Sequence, residues 1–428
     1  MNRACLLARA VRTAGGRWGC VGLASVLSLA ALGTPAADWP QFRGPNRDGH
    51  AQGGPELLEA WPDEGPPRLW VYEGLGEGYS SAAVTADSVY LTGIEEGDGW
   101  VYALDLDGNL RWKSSYGRDW SRSYRGARTT PTVRNGKLYV MSGYGRAVCF
   151  DARSGAEIWA VDTQKTFGAR NITWGITESP LVLDDKAIFT PGGPDAGVVA
   201  LHPDTGETLW TTPDVNDVSG YCSPILIRRG GRDIIVQLTG ETLVGIQADN
   251  GELLWREARR PTPSHKIQAV APVYDDGRLY VTAGYGGERG EMYRLSEDGT
   301  RLTRQWRDAN LDCQHGGVVL IEGRIYGASD RNHRNQWLCL NLEDGAVLAK
   351  MRGVGKGSVV QAGGRLYTLG ENGTMGLVDP DPENFRLISS FKVPSGGRGP
   401  HWAHPSIADG RLYVRHAARL FVYDIAAQ

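Results

Sequence analysis

The sequence predicts an all-β protein, an eight-bladed β-propeller of four-stranded blades closed by an N-terminal strand. Three observations support this prediction: a repeated unit, a glycine turn followed by a tryptophan at fixed spacing, and an unmatched strand before the first unit. The 428-residue chain contains 58 glycines, about twice the average usage of roughly 7%. This composition indicates a turn-rich folded chain, since the sequence lacks the long periodic segments typical of helix bundles.

The repeated unit occurs eight times. Each clear copy starts with a small residue and proline, continues through a short strand and a polar turn, and reaches a strand similar to GRLYV at residues 277–281 and 410–414. Tyr90 and Tyr413 hold equivalent places in the first and last copies, which gives a mean period of about 46 residues. This period lies between the roughly 40–45 residues of WD40 repeats and the roughly 50 of kelch repeats, so each copy has the length of one four-stranded blade.

The second half of each copy carries a turn glycine and then a tryptophan. Glycine tolerates the positive φ of a tight hairpin, and the indole four residues later falls at one height on the outermost strand. We expect this indole to fill the wedge between neighbouring blades. The regular copies have Trp112, Trp159, Trp210 and Trp255, whereas the next three have Trp306 at a longer spacing, Ala349 and Phe391.

The two ends of the repeat series predict how the ring closes. The eighth copy stops without its tryptophan strand, while an unmatched segment, Arg68–Tyr72 (RLWVY), precedes the first copy. We expect this segment to complete the eighth blade, which leaves no sheet edge open between the chain ends. The predicted organisation is therefore a signal peptide at residues 1–37, an N-terminal arm at 38–65 and a propeller at 66–428.

The first 37 residues resemble an export signal. Four arginines precede an apolar run at residues 21–32, and small residues follow it before Asp38. The run is shorter than the roughly 20 residues of a membrane span, so we expect cleavage near Asp38, no transmembrane anchor and a periplasmic or secreted protein. Cys20 precedes the apolar run rather than following it, which argues against a lipid anchor. Loss of the four arginines lowers the formal charge from -3 to -7, and so acidic a protein is a poor nucleic-acid binder.

Four cysteines remain after the predicted cleavage. They are Cys149, Cys222, Cys313 and Cys339, which are widely spaced and form no metal or haem motif. An exported protein can form disulfides, but a chain this long does not need them. We therefore expect four small buried hydrophobic residues, with their disulfide state left open.

The segment Ala200–Trp210 (ALHPDTGETLW) resembles the tryptophan-docking repeat of pyrroloquinoline quinone-type propellers. That superfamily includes the quinoprotein alcohol dehydrogenases and the outer-membrane assembly factor BamB. Residues 38–49 (DWPQFRGPNRDG) look like the leader of the bacterial PQQ-binding-like β-propeller repeat proteins. The resemblance covers roughly residues 38 to 428. It implies the fold, but it is weak for function because the repeated residues are structural.

Residues just before each innermost strand are expected to meet at the mouth of the central channel. The loop at residues 113–128 adds five basic residues, one acid and several aromatics, a set that suits carboxylates or phosphates. The alternatives are a water-filled polar lining and a solvated loop whose arginines pack on aromatic rings. The predicted ligand-binding residues are Arg122, Arg125, Arg128, Arg170, Trp174, Glu178, Tyr221, Gln268, His315, Lys356, His401 and His404.

Two kinds of chemistry are conceivable at this site. His401 and His404 could hold a metal only if His315 or a carboxylate joined them, and we expect no metal. The quinoprotein alcohol dehydrogenases stack their cofactor against a ring made by two adjacent cysteines, a pair that this sequence lacks. No catalytic residue is assigned, and whether the chain is an enzyme stays open, although the sequence leans against it.

The sequence as a whole favours a non-catalytic, monomeric, exported propeller similar to BamB. We expect it to bind an envelope protein or an anionic small molecule, without a resident cofactor. The alternative is an oxidoreductase that uses pyrroloquinoline quinone.

Overall fold

The computed structural model describes residues 38–259, 267–284 and 290–427. The predicted signal peptide at residues 1–37 lies outside the described residues. The described chain forms eight four-stranded antiparallel sheets, which confirms the eight-bladed all-β propeller. Within this described part, no helix has the length and hydropathy needed to cross a membrane.

In the first seven blades the strands follow one another from the innermost to the outermost position. The segment β1 (Arg68–Tyr72) precedes blade 1, which contains β2 (Ala83–Val84), β3 (Val89–Glu95), β4 (Asp98–Leu104) and β5 (Leu110–Arg118). Blade 2 contains β6 (Thr132–Arg134), β7 (Lys137–Met141), β8 (Arg146–Asp151) and β9 (Glu157–Asp162), followed by the short helix α1 (Thr163–Thr166).

Blade 3 carries an additional small sheet. Its strands are β10 (Leu181–Val182), β11 (Ala187–Phe189), β13 (Val199–Leu201) and β14 (Thr208–Thr211). The extra strand β12 (Gly192–Gly193) pairs with β15 (Asp217–Val218), which follows a 3-10 turn at Pro213–Val215. Blade 4 contains β16 (Ile225–Arg229), β17 (Arg232–Leu238), β18 (Thr242–Gln247) and β19 (Leu253–Ala258).

The remaining blades repeat the same order. Blade 5 contains β20 (Val273–Asp275), β21 (Arg278–Val281), β22 (Gly290–Leu295) and β23 (Leu302–Asp308). Blade 6 contains β24 (Val318–Ile321), β25 (Arg324–Ala328), β26 (Trp337–Asn341) and β27 (Val347–Met351). Blade 7 contains β28 (Gly357–Ala362), β29 (Arg365–Gly370), β30 (Thr374–Asp379) and β31 (Arg386–Lys392), with a 3-10 turn at Pro382–Asn384.

The ring closes as the sequence predicts. Blade 8 contains β32 (Ser406–Ala408), β33 (Arg411–His416) and β34 (Arg419–Asp424), and β1 pairs antiparallel with β34 as its outermost strand. Trp70 of β1 lies opposite Val422 and donates its indole N–H to the Leu106 carbonyl of blade 1 at 2.8 Å. The N-terminal strand therefore joins the last blade to the first.

Most of the repeated indoles bridge to the next blade in the same way as Trp70. The indole N–H of Trp112 donates to the Ala152 carbonyl at 3.1 Å, and its ring lies where a side chain on Gly155 would stand. Trp159, Trp210 and Trp306 make the corresponding bonds to Pro203, Ala248 and Leu342. Trp255 differs from this expectation, since its ring packs over Gly245 of its own sheet. Ile234 instead lies against the next turn glycine, Gly299.

The N-terminal arm crosses the central channel. Trp39 pairs with Val84 of blade 1, while Ala51 donates its N–H to the Gln361 carbonyl of blade 7. Between these points, Arg43 donates to the carbonyl of Val318 at 2.5 Å and Arg47 donates to that of Ser179 at 2.6 Å. Both guanidiniums are buried, and burial lowers the pKa of each to about 10. The arm thus occupies the interior of the channel.

The four described cysteines behave as predicted. Their thiols are free and buried within the hydrophobic clusters between blades. They therefore contribute to packing between neighbouring sheets.

Candidate functional site

The loops before the innermost strands and the loops between second and third strands lie on one side of the ring, because neighbouring strands in each blade are antiparallel. We call this side the loop face. The turns between first and second strands, and between third and outermost strands, form the opposite side, which we call the turn face. The predicted ligand-binding residues belong to segments of the loop face.

A chain of hydroxyl groups fixes the start of successive innermost strands. The N–H of Ser81 donates to Thr130 Oγ1 at 3.0 Å, and the N–H of Thr130 donates to Ser179 Oγ at 2.9 Å. The N–H of Ser179 in turn donates to Ser223 Oγ at 2.9 Å. This pattern explains the small residue before proline in the repeat, because a larger side chain could not bridge adjacent backbones so closely. This chain of hydroxyl groups also fixes the backbone just after Arg128 and Glu178, which precede Thr130 and Ser179.

The three arginines assigned to ligand binding in the basic loop differ in their contacts. Arg128 donates to the carbonyl of Tyr124 at 2.6 Å and also to the carbonyl of Trp174. Arg125 pairs with Glu77 at 2.9 Å at the surface, where both side chains are exposed. Arg122 is exposed, with its guanidinium 5.7 Å from the ring centre of Trp120. Arg128 alone of the three is thus engaged within the protein, which corrects its expected outward role.

Trp402 is the centre of an aromatic cluster on the loop face. The rings of Tyr79, Tyr124 and His315 lie 5.3, 5.2 and 5.1 Å from it. Its indole N–H donates to Glu371 Oε1 at 2.6 Å. Tyr124 is 57% exposed and has a positive φ of 50°, which is uncommon for a residue with a side chain. We call Tyr79, Tyr124, Trp402 and His315 the aromatic platform.

A network of opposite charges supports the platform from below. His315 Nε2 lies 3.1 Å from Glu371 Oε1. Lys356 Nζ lies 2.8 Å from Asp330 Oδ1 and 3.5 Å from Glu371 Oε2. Burial opposes the charge of Lys356, but Asp330 and Glu371 outweigh it and raise the pKa of the lysine. His315 and Lys356 thus both contact Glu371, and the charge of Lys356 is balanced by two carboxylates.

Four predicted site residues, Glu178, Gln268, His401 and His404, are buried beneath the loop face, which corrects their expected exposure at a channel mouth. Glu178 accepts a hydrogen bond from the Thr190 N–H at 3.1 Å, and burial raises its pKa to about 7. Gln268 donates to the Thr239 carbonyl at 3.2 Å. His404 bonds through Nε2 to the His315 carbonyl at 2.9 Å, and burial lowers its pKa to about 3.

The remaining predicted residues do not join a single pocket. His401 stacks on His416 rather than approaching His404, and the described ranges contain no group of three residues suited to hold a metal. The rings of Trp174 and Tyr221 lie 5.8 Å apart beside the basic loop. Arg170 lines a separate cavity of about 630 Å³ beside β12 and β15.

Two residues of the aromatic platform and the carboxylate beneath it are not among the candidates that the sequence predicts. Tyr124 and Trp402 were visible only as aromatics within two predicted loops, and Glu371 follows a second strand where the repeat carries no polar signature. Their meeting depends on contacts between blades 1, 6, 7 and 8, which lie far apart in the sequence.

Comparisons with known proteins agree with the fold and divide on function. The family profile described as "Outer membrane protein assembly factor BamB" matches residues 97–351. Quinoprotein alcohol dehydrogenase PedH of Pseudomonas putida is 30% identical over 250 residues, which are 55% of this chain and 40% of that protein. The outer membrane protein assembly factor BamB of Burkholderia pseudomallei is 27% identical over 308 residues, 68% of this chain and 72% of that protein.

Solved structures show the same fold at low identity. BamB from Moraxella catarrhalis superposes with a TM-score of 0.61 at 14% identity, covering 84% of this chain and 100% of that chain. Quinohemoprotein alcohol dehydrogenase ADHIIG from Pseudomonas putida HK5 also gives 0.61 at 14% identity, covering 91% and 80%. These likenesses define the architecture alone.

Proposed function

Because the chain belongs to the family described as outer membrane protein assembly factor BamB, we propose that it is an exported, non-catalytic propeller that binds a partner protein through its loop face. Export rests on the signal peptide predicted at residues 1–37, and the expected location is the periplasm or the outside of the cell.

The exposed Tyr124, with contacts to its ring and to its backbone, is the observation that carries this proposal. Its ring rests on Trp402, and its carbonyl accepts a hydrogen bond from Arg128. Trp402 is itself held by Glu371. Exposed aromatics with little freedom to lose are the residues that contribute most to protein–protein interfaces. The platform therefore has the properties of a preformed binding site.

The extent of similarity supports the same choice. The match to the Burkholderia assembly factor spans 72% of that protein, whereas the chain spans only 40% of the length of PedH. An anionic small molecule is the weaker option, since Arg125 is paired with Glu77 at the surface and Arg128 is bound to backbone carbonyls.

The second candidate is an oxidoreductase that uses pyrroloquinoline quinone, which the similarity to quinoprotein alcohol dehydrogenases favours. A tricarboxylate quinone needs cations around one open indole face. Here Lys356 is bound to two carboxylates, Arg128 is bound to carbonyls, and Arg170 lies at a separate cavity. The four described cysteines are buried and distant in sequence, so they offer no adjacent pair. The residues present do not fit the quinone, and we derive no step through it.

Site-specific photo-crosslinking in the host tests the proposal. A benzophenone side chain at Tyr124 should trap one envelope protein, and that protein should trap the propeller in the reciprocal experiment. Tyr274, on the turn face, is the matched control and should give no such adduct. Absence of an adduct at position 124, or a retained quinone in the native mass spectrum of protein from its own host, would overturn the proposal.

A further inference from the structure

Seven basic residues lie on the loop face of four consecutive blades. The outermost strands end on this face, and they bring Arg118, Lys350 and Lys392 to it. The loops that follow these strands, together with the loop after β25, add the others. We call the set the basic arc: Arg118, Arg122, Arg334, Lys350, Arg352, Lys392 and Arg398.

The charges of the basic arc are available to a partner. All seven residues are exposed, and none forms an ion pair with an acidic side chain of the described residues. Arg118 and Arg122 lie over the rings of Tyr144 and Trp120, while Lys392 contacts the carbonyl of Asn372. These contacts orient the side chains without neutralising them.

The nearby acidic side chains, in contrast, are mostly paired with basic residues of the protein. Glu73 and Glu77 pair with Arg419 and Arg125, and Glu95 pairs with Lys113. Asp330 and Glu371 share Lys356. Glu96 and Asp98 remain at the edge of the arc, beside a small cavity that also includes Arg118. The free charge of this part of the loop face is therefore positive.

The turn face mixes both signs. An exposed aspartate lies in the turn before the outermost strand of six blades: Asp107, Asp204, Asp249, Asp298, Asp344 and Asp381. Basic side chains share this face and pair with acids there, as Lys137 does with Asp204 and Arg229 does with Asp276. The basic arc differs because its cations lack acidic partners among the described residues, so this part of the loop face produces a field that attracts anionic groups.

We infer that the loop face docks an acidic segment of the partner protein, with Tyr124 as its apolar anchor and the basic arc as its electrostatic guide. This inference rests on the proposed function. Arginine beside aromatic side chains is the composition of protein interfaces, and complementary charge raises association rates and selects partners.

Two other anionic partners fit less well. A lipid surface usually receives several inserted apolar side chains. The other exposed large hydrophobics of the described chain, Leu69, Leu110, Ile158, Leu209 and Leu348, lie on outermost strands, close to the turn face where those strands begin. A small phosphate needs cations that converge, whereas these cations are spread over four blades. A protein segment can span such a distance.

Charge reversal tests the inference without touching the platform. The variant Lys350→Glu/Arg352→Glu/Arg398→Glu changes the basic arc, and Arg68→Glu/Arg153→Glu/Arg301→Glu makes the same charge change on the turn face. The probe is a fluorescent Glu-rich peptide with one central Trp, compared with its Lys-rich counterpart and with vesicles of phosphatidylglycerol or phosphatidylcholine.

We expect the acidic peptide to bind the wild type and the turn-face variant equally, and the basic-arc variant at least about tenfold more weakly. Raising the salt concentration from about 50 mM to about 300 mM should weaken wild-type binding, because exposed charges are screened. Tyr124→Ala should weaken binding at every salt concentration. Equal peptide binding by all variants, or charge-dependent binding to phosphatidylglycerol vesicles alone, would overturn the inference.

Crosslinking at position 124 separates this inference from the proposed function. If the adduct forms equally well in the basic-arc variant, the platform binds a partner but the acidic-segment inference fails. If the wild type gives no adduct, the proposed function fails first.

Discussion

The imidazole rings of His401 and His416 stack with their centroids 3.7 Å apart and their planes 7° from parallel. His416 Nδ1 accepts the Gly396 N–H at 2.8 Å, so its proton is on Nε2, which lies 2.9 Å from the Gly399 carbonyl. This neutral pair fixes the loop that carries Trp402. Protonation would place two like charges in contact.

The histidine pair predicts a loss of stability in mild acid. Burial and the neighbouring His416 lower the pKa of His401 to about 4, and burial also lowers the pKa of His416. A histidine in the unfolded chain has a pKa of about 6.5, so between pH 6.5 and pH 4 the unfolded chain binds more protons than the folded protein. The stability that the neutral histidine pair contributes is therefore complete above about pH 6.5 and declines as the pH falls toward 4. Urea midpoints measured from pH 7 to pH 4 should show the decline. His401→Gln should flatten it, His202→Gln should not, and identical slopes in all three proteins would contradict the prediction.

Glu178 predicts the opposite dependence at higher pH. Burial raises its pKa to about 7, above the value of 4.5 for an ordinary glutamate. A raised folded-state pKa gives stability that is complete below the unfolded pKa and is lost as the pH rises through the folded pKa. Glu178→Gln keeps an acceptor for the Thr190 N–H and should stabilise the protein by about 2–3 kcal/mol at pH 9. Equal unfolding free energies of variant and wild type at that pH would contradict the prediction that the buried carboxylate of Glu178 destabilises the folded protein.

We expect two arginines of the N-terminal arm, outside the repeats, to contribute strongly to the free energy of unfolding. Arg43→Met or Arg47→Met leaves buried carbonyls without donors and should cost about 3–5 kcal/mol in the free energy of unfolding. Arg68→Met, at an exposed position of β1, is the control and should change stability by less than about 0.5 kcal/mol. Chemical unfolding monitored by tryptophan fluorescence measures both. If all three variants unfold at one midpoint, the arm does not hold the channel together.

Ring closure through β1 predicts that Trp70 contributes more to stability than the neighbouring Leu69. Trp70→Ala removes the indole bond to Leu106 and the contact with Gly108, and should cost about 3 kcal/mol. Leu69→Ala alters a half-exposed side chain of the same strand and should cost much less. Calorimetry of the two variants gives the comparison, and a melting temperature for Trp70→Ala equal to that of Leu69→Ala would argue against closure through this strand.

The buried thiols predict chemical inertness in the folded protein. Burial raises the pKa of Cys149, Cys222 and Cys313 to about 12, and raises that of Cys339 as well. Because the thiolate is the reactive form, iodoacetamide at pH 8 should leave all four unmodified until the protein is unfolded. Peptide mass spectrometry before and after urea measures this, and rapid native labelling of any of the four would show that its blade opens.

The fold could be predicted because its signals are local. The glycine of each turn and the indole four residues later belong to one hairpin, so Trp112 and Trp159 mark their blades from sequence alone. The site depends on long-range contacts that no spacing specifies. Trp402 of the loop before blade 8 donates to Glu371 of blade 7. Arg128 turns inward because carbonyls of its own loop and of the next loop accept hydrogen bonds from its guanidinium. The sequence therefore identifies the basic loop as a segment, whereas the directions of its side chains depend on these long-range contacts.

The pairing of β1 with β34 also bears on how the chain reaches its folded state. Each inner hairpin can form as soon as its own residues are available, whereas this sheet joins segments from nearly opposite ends of the propeller. Such a pairing has high contact order, because its two strands are far apart in the sequence. The chain loses loop-closure entropy in bringing them together before any contact between them contributes stabilising energy. We expect the last blade to be the slow step of folding, with an unpaired edge on β34 that a chaperone or a second chain could bind until β1 arrives.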